Sequence, residues 1–321
     1  MKALILGFGQ DAILTSKKLS EENISYRIMT RRSSGVIKKI ETYDINYKNI
    51  IYVEEINEIN LLKTKEEFDY THVFNFAANS YVQDSGLNFE GFVLNNSKIL
   101  WSIFNISKLI PNLWIFHPLS SEILDTNNKN QGLDYNLEPR NAYGLSKTLD
   151  YYASKIFINE SRNKLHACII FNHESSLRPN QFFTKKVSNY FQQEKSSKIL
   201  QIYNAKSRRD WGSASEFIDL IIESGKRKLC GISTLGTGKL ISVEDYIDYC
   251  FDFYNIEYEK NIKNNLISWQ SSLYRVEEVS RDKDDEERVV CADIKRVEQF
   301  FNKKPLVYGK KLVHALLNNE I

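Results

Sequence analysis

What most narrows the fold is the way the chain begins: a short apolar run, Lys2–Leu6, is broken at once by Gly7-Phe8-Gly9, and a helical pattern follows to about Glu22. Short apolar runs then recur at Ser25–Met29, Ile50–Val53, Thr71–Phe76, Leu113–Phe116 and His166–Phe171. Helical stretches separate them, among them Ile56–Glu67, about Asn88–Lys108, and Asn141–Glu160. Strands of this length alternating with helices predict βαβ units, a parallel sheet and a doubly wound α/β fold of Rossmann type. Near-continuous apolar strands are what a sheet covered on both faces requires. After Phe171 the rhythm breaks. Asn172–Asn180 reads as a loop, Phe182–Gln193 as helix, Leu200–Tyr203 as strand, Ser215–Gly225 as helix and Leu229–Ser233 as strand. Ser242 is placed to cap a helix reaching Phe253, and Arg281–Arg288 reads as a solvated loop. The expected organisation is a Rossmann domain over residues 1–171 and a smaller α/β substrate-binding lobe over residues 172–321, with elements exchanged between them. A chain of 321 residues is long enough for both.

Composition removes several function classes. Lys and Arg number 43 against 41 Asp and Glu, a net charge of +2, so there is no electrostatic case for nucleic acid or an acidic membrane surface. Cys168, Cys230, Cys250 and Cys291 are scattered with no Cys-x-x-Cys pair, and the five histidines show no ligand spacing. Neither a disulfide framework nor a metal site is expected, and a reducing compartment fits. The opening apolar run is too short for a signal peptide, and no stretch approaches the roughly 18 apolar residues of a membrane span. A cytoplasmic protein is expected.

Gly7-Phe8-Gly9-Gln10-Asp11-Ala12 stands between the first strand and the first helix, where a dinucleotide fingerprint belongs. The first glycine makes the turn, the second lets a pyrophosphate approach the backbone, and a small third residue lets the helix pack on the strand. The helix N-terminus supplies N–H donors to the phosphates. The same letters also describe a glycine turn with no ligand; the place behind an N-terminal strand favours a dinucleotide. The second strand ends in Thr30-Arg31-Arg32-Ser33-Ser34. An acid there would accept from a ribose 2′-hydroxyl, whereas two guanidinium groups and two hydroxyls suit a 2′-phosphate. NADP is therefore the expected cofactor, against the plainer reading of an exposed basic turn.

Tyr143 and Lys147 lie four apart at the start of a helix and so share a face. A free phenol titrates near ~10 and is a poor base at neutral pH. A nearby ammonium and a cofactor's positive ring lower that value enough for acid–base work. Such a pair is common by chance on helices; it gains weight from Ser120-Ser121-Glu122, just past the strand Leu113–Phe116. Doubly wound folds bind ligands at that carboxyl end of the sheet. Ser120 is placed to hydrogen-bond a reacting hydroxyl and Glu122 to take and return a proton, the bland alternative for Glu122 being a solvated loop acid.

These segments resemble the extended short-chain dehydrogenase/reductase superfamily, with its Tyr-x-x-x-Lys pair and upstream Ser or Thr. Along most of the chain the closer resemblance is to the GDP-mannose 4,6-dehydratase family. Gly9-Gln10-Asp11 is similar to that family's Gly-Gln-Asp-Gly loop, one residue shorter and with Ala12 for the last Gly. Arg31-Arg32-Ser33-Ser34 is similar to its NADP-specifying Arg-Arg-Ser-Ser, and Asn75-Phe76-Ala77-Ala78-Asn79-Ser80 to its Asn-Leu-Ala-Ala-Gln-Ser. Ser120-Ser121-Glu122 matches Thr-Ser-Glu, and Pro139-Arg140-Asn141-Ala142-Tyr143 matches Pro-Arg-Ser-Pro-Tyr. The most specific match is Phe171-Asn172-His173-Glu174-Ser175 with Arg178 downstream, joined by Arg209-Asp210-Trp211-Gly212. Glu54 stands where the family usually has an Asp near the adenine.

The resemblance implies that NADP contacts Gly7, Phe8, Gly9, Gln10, Asp11, Arg31 to Ser34, Glu54, Phe76, Ala77, Ala78, Ser80, Tyr143, Lys147, His173 and Arg178. It implies that a GDP-sugar contacts Ser80, Ser121, Asn172, Lys186, Arg209 and, through a looser alignment of Arg275-Val276-Glu277-Glu278, Arg275. The implied reaction is an internal redox cycle: oxidation at C4, loss of water across C5 and C6, and reduction at C6, giving a 4-keto-6-deoxy sugar nucleotide. Tyr143, Ser120 and Lys147 would serve the first step and Glu122 the second. A homodimer or homotetramer is expected. A 4-epimerase or 4-ketoreductase would need the Tyr–Lys pair but not Glu122; a non-catalytic dinucleotide sensor would need neither; a dehydratase for a GDP-heptose or an acetamido sugar differs only in substrate.

Overall fold

The computed structural model describes residues 1–79, 89–125, 136–280 and 289–320. The elements begin β1 (Ala3–Leu6), α1 (Gln10–Glu21), β2 (Tyr26–Thr30), α2 (Ser34–Thr42), β3 (Ile50–Tyr52), α3 (Glu58–Phe68), β4 (His72–Asn75), α4 (Phe89–Ser107) and β5 (Trp114–Ser120). They continue α5 (Ala142–Glu160), β6 (Lys164–Ile170), β7 (Asn172–Glu174), α6 (Phe183–Phe191), β8 (Ile199–Ile202), β9 (Arg208–Ser213), α7 (Ala214–Lys226) and β10 (Gly231–Leu235). The chain closes with β11 (Leu240–Ser242), α8 (Val243–Phe253), β12 (Glu259–Lys263), β13 (Leu266–Gln270), β14 (Arg275–Glu278), α9 (Ile294–Phe301) and α10 (Gly309–Leu317). Among the described residues no helix is long and apolar enough to cross a membrane, and no group of His, Cys, Asp or Glu is arranged to hold a metal.

The first compact unit comprises Met1–Ile170, Ile218–Leu235 and Lys295–Lys303. Its sheet has the order β10-β6-β5-β4-β1-β2-β3, parallel throughout, as the alternation of short strands and helices predicts. The central strands are buried at nearly every position: Ala3 to Leu6 are all fully buried. One face packs Phe74, Trp114 and Phe116 with His166 and Phe300 in a run of aromatic contacts. His166 is closed in between the hydroxyls of Ser224 and Ser233, and burial pushes its pKa down to about 3, so it serves as a neutral core residue.

The second unit comprises Phe171–Phe217, Gly236–Ile294 and Lys304–Ile321. It holds a three-stranded sheet, β11-β9-β7, and a four-stranded one, β12-β13-β14-β8. Its core runs from Val187 and Phe191 of α6 through Trp211, Tyr246, Phe251 and Trp269 to Leu312 and Leu316 of α10. Ser242 caps α8 with a full capping box, its hydroxyl accepting from the Asp245 amide and the Asp245 carboxylate accepting from the Ser242 amide.

Two expectations change. Asn172–Glu174, expected as loop, is strand β7, paired in parallel with Trp211–Ser213; three residues are too few for alternation to show. The last strand of the large sheet is Gly231–Leu235 rather than Leu229–Ser233, its register on His166–Ile170 set by pairing. Strands β9, β12 and β14, none of them expected from the sequence, carry charged residues, and β12 is exposed at every position. The expected loop at Arg281–Arg288 lies outside the described residues.

Candidate active site

Strand order in the large sheet reverses direction between β1 and β4, so the loops leaving these two strands flank the crevice in which doubly wound folds take ligands. Gly7 leaves β1 with φ +94°, and a Cβ there would lie 3.0 Å from the Cα and N of Ala77, in the segment that leaves β4. Only glycine fits such a turn. Gly9 is different: a Cβ there would meet nothing within 4 Å, leaving open space over the start of α1. Gly9 is also the N-cap of α1 and gives it no side-chain cap. The first turn of α1 therefore presents backbone donors toward open space, as an anion requires. Ala12 is fully buried and Phe8 nearly so, fixing the turn, while the Gln10 amide donates to Asp11 at 3.1 Å.

Arg31, Arg32, Ser33 and Ser34 follow β2 and are all exposed. Ser33 caps α2, its Oγ accepting from the Val36 amide at 3.2 Å, which leaves its hydroxyl proton to donate. The Arg32 guanidinium lies over the Tyr52 ring, 5.5 Å from its centroid, a cation–π pair at the end of β3. Glu54 is exposed two residues beyond. Phe76 packs on Phe116, and Ala77 and Ala78 follow; Ser80 lies outside the described residues. Asn79 is pinned from both sides: its amide donates to Asn96 Oδ1 at 2.8 Å, and its carbonyl accepts from Asn96 Nδ2 at 3.1 Å.

Ser120 ends β5, opposite Ile170 of β6, and Ser121–Ile123 form a single 3-10 turn. The Ser120 Oγ accepts from the Glu122 amide at 3.2 Å, again leaving a proton to donate. This turn packs against the start of α5. Asn141 joins the two: its Oδ1 caps α5 by accepting from the Gly144 amide at 2.7 Å, and its Nδ2 donates to Glu122 Oε2 at 3.2 Å. Glu122 is therefore an oriented carboxylate and not a free loop acid. Tyr143, in the first turn of α5, packs edge-on against Phe92 of α4, ring centroids 6.5 Å apart.

Lys147, one turn on, is buried to about 1% exposure. Its ammonium donates to the Pro118 carbonyl at 2.8 Å and lies 3.6 Å from Asp150 Oδ2. The same oxygen is 3.0 Å from His117 Nε2, and His117 Nδ1 is 3.0 Å from Asn75 Nδ2. Asn75 Oδ1 accepts from the Ala77 amide. Burial pulls Lys147 below the ordinary lysine range, with Asp150 opposing. Burial raises the Asp150 carboxyl, but its interactions with His117 and Lys147 outweigh it and hold the group below its usual range. Asn75, His117 and Asp150 were not foreseen. Asp150 was legible, since i+3 from Lys147 puts it on the same face of the helix. His117 was not, because its partners come from strand β4 and helix α5, distant from it in the chain.

In the second unit, Asn172 and His173 lie on β7, with the His173 ring stacked on Phe217 at 5.5 Å and its Nδ1 2.9 Å from the Phe171 carbonyl. Arg178 is half-enclosed: its Nε is 3.2 Å from Glu174 Oε2 and its guanidinium covers the Phe182 ring at 4.0 Å. Glu174 also accepts from Thr184 at 2.6 Å. Arg209, on β9, donates to Ser207 Oγ at 2.7 Å and the Arg208 carbonyl at 2.8 Å. Lys186 donates to the Gln201 carbonyl, and exposed Arg275 pairs with Glu277 at 3.0 Å.

Against known families, a model described as GDP-mannose 4,6 dehydratase matches residues 4–316. The chain belongs to the GDP-mannose 4,6-dehydratase family. Its enzymes are hydro-lyases. The GDP-mannose 4,6-dehydratase of Sinorhizobium fredii (strain HH103) is 28% identical over 268 residues, 78% of this chain and 75% of that protein. Among solved structures, dTDP-glucose 4,6-dehydratase from Bacillus anthracis, in complex with NAD, aligns with TM-score 0.77 at 12% identity, covering 100% of this chain and 96% of that one. UDP-glucose 4-epimerase from Brucella ovis, also in complex with NAD, aligns with TM-score 0.78 at 14% identity, covering 98% and 97%. At these identities the two structures establish a shared fold. Both share this chain's doubly wound scaffold.

Proposed function

We propose that this member of the family is an NADP-dependent dehydratase that converts a GDP-hexose, GDP-mannose foremost, to its 4-keto-6-deoxy form. The observation that carries the reading is the join at the carboxyl end of the sheet, where Asn141 caps the helix bearing Tyr143 and Lys147 and also orients Glu122. A redox step needs the first pair and an elimination needs the last. Gly7, Gly9 and the open start of α1 fit the pyrophosphate of a dinucleotide, whose nicotinamide ring would supply a hydride acceptor and then a hydride donor. Tyr143 takes the proton of the C4 hydroxyl while Ser120 donates a hydrogen bond to it. The buried Lys147 ammonium favours the tyrosinate. Once C4 is a ketone, the C5 proton is acidic; Glu122 takes it and returns a proton to the departing C6 hydroxyl, which leaves as water. His173 and Arg178 would serve the cofactor, and Asn172, Lys186, Arg209 and Arg275 the nucleotide sugar. Incubation with a panel of GDP-, UDP- and dTDP-sugars should show loss of one water from the GDP-hexose with no net use of NADPH. Stoichiometric consumption of NADPH would make the protein a reductase, and turnover confined to a GDP-heptose would move the substrate alone.

The same reading favours NADP over NAD. Exposed Arg31 and Arg32 follow β2, and the Arg32 guanidinium is already held over Tyr52. Replacing both arginines by Ala should weaken NADP far more than NAD, because only NADP carries the phosphate that they would pair. Calorimetric titration giving equal losses for the two cofactors would count against it. A homo-oligomer is part of the proposal too. Leu94 and Trp101 on α4 and Leu149, Tyr152 and Ile156 on α5 are exposed on two helices that pack together, more apolar surface than scattered side chains leave. Sedimentation reads that state directly.

A further inference from the structure

We propose that His117 and Asp150 are positioning residues for Lys147, forming a buried relay from the loop after β4 that holds the lysine as an ammonium in one place. The inference rests on the reading of Tyr143 and Lys147 given above. Its geometry fixes the chemistry of each member. Asn75 Oδ1 accepts from the Ala77 amide, so the other end of that side chain is the NH2 and donates to His117 Nδ1. His117 Nδ1 is then an acceptor, and the ring proton sits on Nε2, donating to Asp150 Oδ2 at 3.0 Å. A neutral ring donating into a carboxylate stabilises its charged form. That carboxylate lies 3.6 Å from the Lys147 ammonium, and both side chains are at most 2% exposed.

An ammonium taken fully out of water costs several kcal/mol unless a charge compensates it. The Pro118 carbonyl supplies a dipole, and Asp150 supplies the charge. Among the described residues no other carboxylate pairs with the Lys147 ammonium. On β6, Ala167 stands opposite His117; on α4, the neighbours are the neutral Ser97, beside the Asp150 carboxylate, and Asn96. Among the described residues, Tyr143, Glu122 and the ion-paired Glu138 and Arg140 are other titratable groups near this end of α5, and farther along it Lys155 is stacked on Tyr151. Burial, then the Lys147 charge, push His117 below the ordinary histidine range, in keeping with a neutral ring. The relay also ends at Ala77, whose backbone a Gly7 Cβ would touch, so it ties the lysine to the glycine turn.

Asp150→Asn keeps the shape and removes the charge. Lys147 should then lose its proton at lower pH, and Tyr143, without its cation, should ionise at higher pH. The pH profile of kcat/KM should narrow from both sides, with kcat at neutral pH lower by about 10- to 1000-fold, as one to three pKa units imply, and KM for the nucleotide sugar little changed. His117→Leu should act in the same direction. His117→Gln, whose amide offers both an N–H to Asp150 and an acceptor to Asn75, should recover most of that loss. In the native protein, nitrogen NMR should show His117 as the neutral Nε2–H tautomer from about pH 5 to 8. A folded Asp150→Asn variant with the native pH profile would overturn the inference, as would a cationic or Nδ1–H His117. If Asp150→Asn does not fold, the tautomer and the Leu–Gln pair decide. If Tyr143→Phe is fully active, the reading of the site fails; if it is inactive while Asp150→Asn keeps the native profile, only the relay fails.

Discussion

Tyr143→Phe is expected to turn over ~10²–10⁴-fold more slowly than the native protein while binding NADP nearly as well, the range that loss of a general acid–base group produces. The substitution removes one oxygen and keeps the ring, whose edge-on packing against Phe92 holds it in the first turn of α5. Thermal stability should hardly change, so a fall in activity reports chemistry and not unfolding. Initial rates with saturating nucleotide sugar, set beside a melting curve, make the measurement. A variant that turns over at the native rate would remove Tyr143 and Lys147 from the reaction.

Glu122→Gln separates a dehydratase from its relatives on the same scaffold. Gln is nearly isosteric, and its carbonyl oxygen can still accept from Asn141 Nδ2, so the side chain should keep its orientation. It cannot accept a proton. On the proposed reading oxidation at C4 falls to Tyr143 and should proceed, but the C5 proton has nowhere to go. The variant should therefore stall, with the absorbance of reduced nicotinamide accumulating and no dehydrated product. Exchange of the C5 hydrogen with deuterated solvent should drop by ~10²–10⁴-fold. Native product formation together with native exchange would return Glu122 to the role of a loop acid and point to an epimerase or reductase.

The parts of this fold that announce themselves in the sequence are those under local constraint. Gly7 must adopt a positive φ and lie against Ala77, and its neighbours show it: an apolar strand before, a helix start after. The buried parallel strands are short apolar runs because both faces are covered. What stays hidden depends on pairing between distant segments. Asn172–Glu174 becomes a strand only because Trp211–Ser213 lies beside it, and Glu259–Lys263 is strand with every side chain in water. The residues of the candidate site divide the same way. Tyr143, Lys147, Ser120 and Glu122 form patterns along the chain. His117 reads as a lone histidine in an apolar run until the order of strands sets β5 beside β4 and brings Asn75 to it. Asn141 reads as a helix cap, which it is; its second bond, to Glu122, depends on the turn after β5 folding back onto α5.

Each of the two units is stitched from three stretches of chain, and in both the final stretch lies near the C-terminus, at Lys295–Lys303 for the first and Lys304–Ile321 for the second. This bears on how the protein is made. During synthesis from the N-terminus, β1 to β6 can pair as they emerge, since each finds its neighbour among segments already present. In the second unit β9 and β11 also find earlier partners, but other parts must wait. Its core waits for Leu312, Val313, Leu316 and Leu317 of α10, and β8 waits for β14 before it has a partner in its sheet. A core cluster that includes Phe191, Trp211, Tyr246 and Phe251 is thus expected to lack part of its cover until α10 has been made, the interval in which aggregation competes with folding.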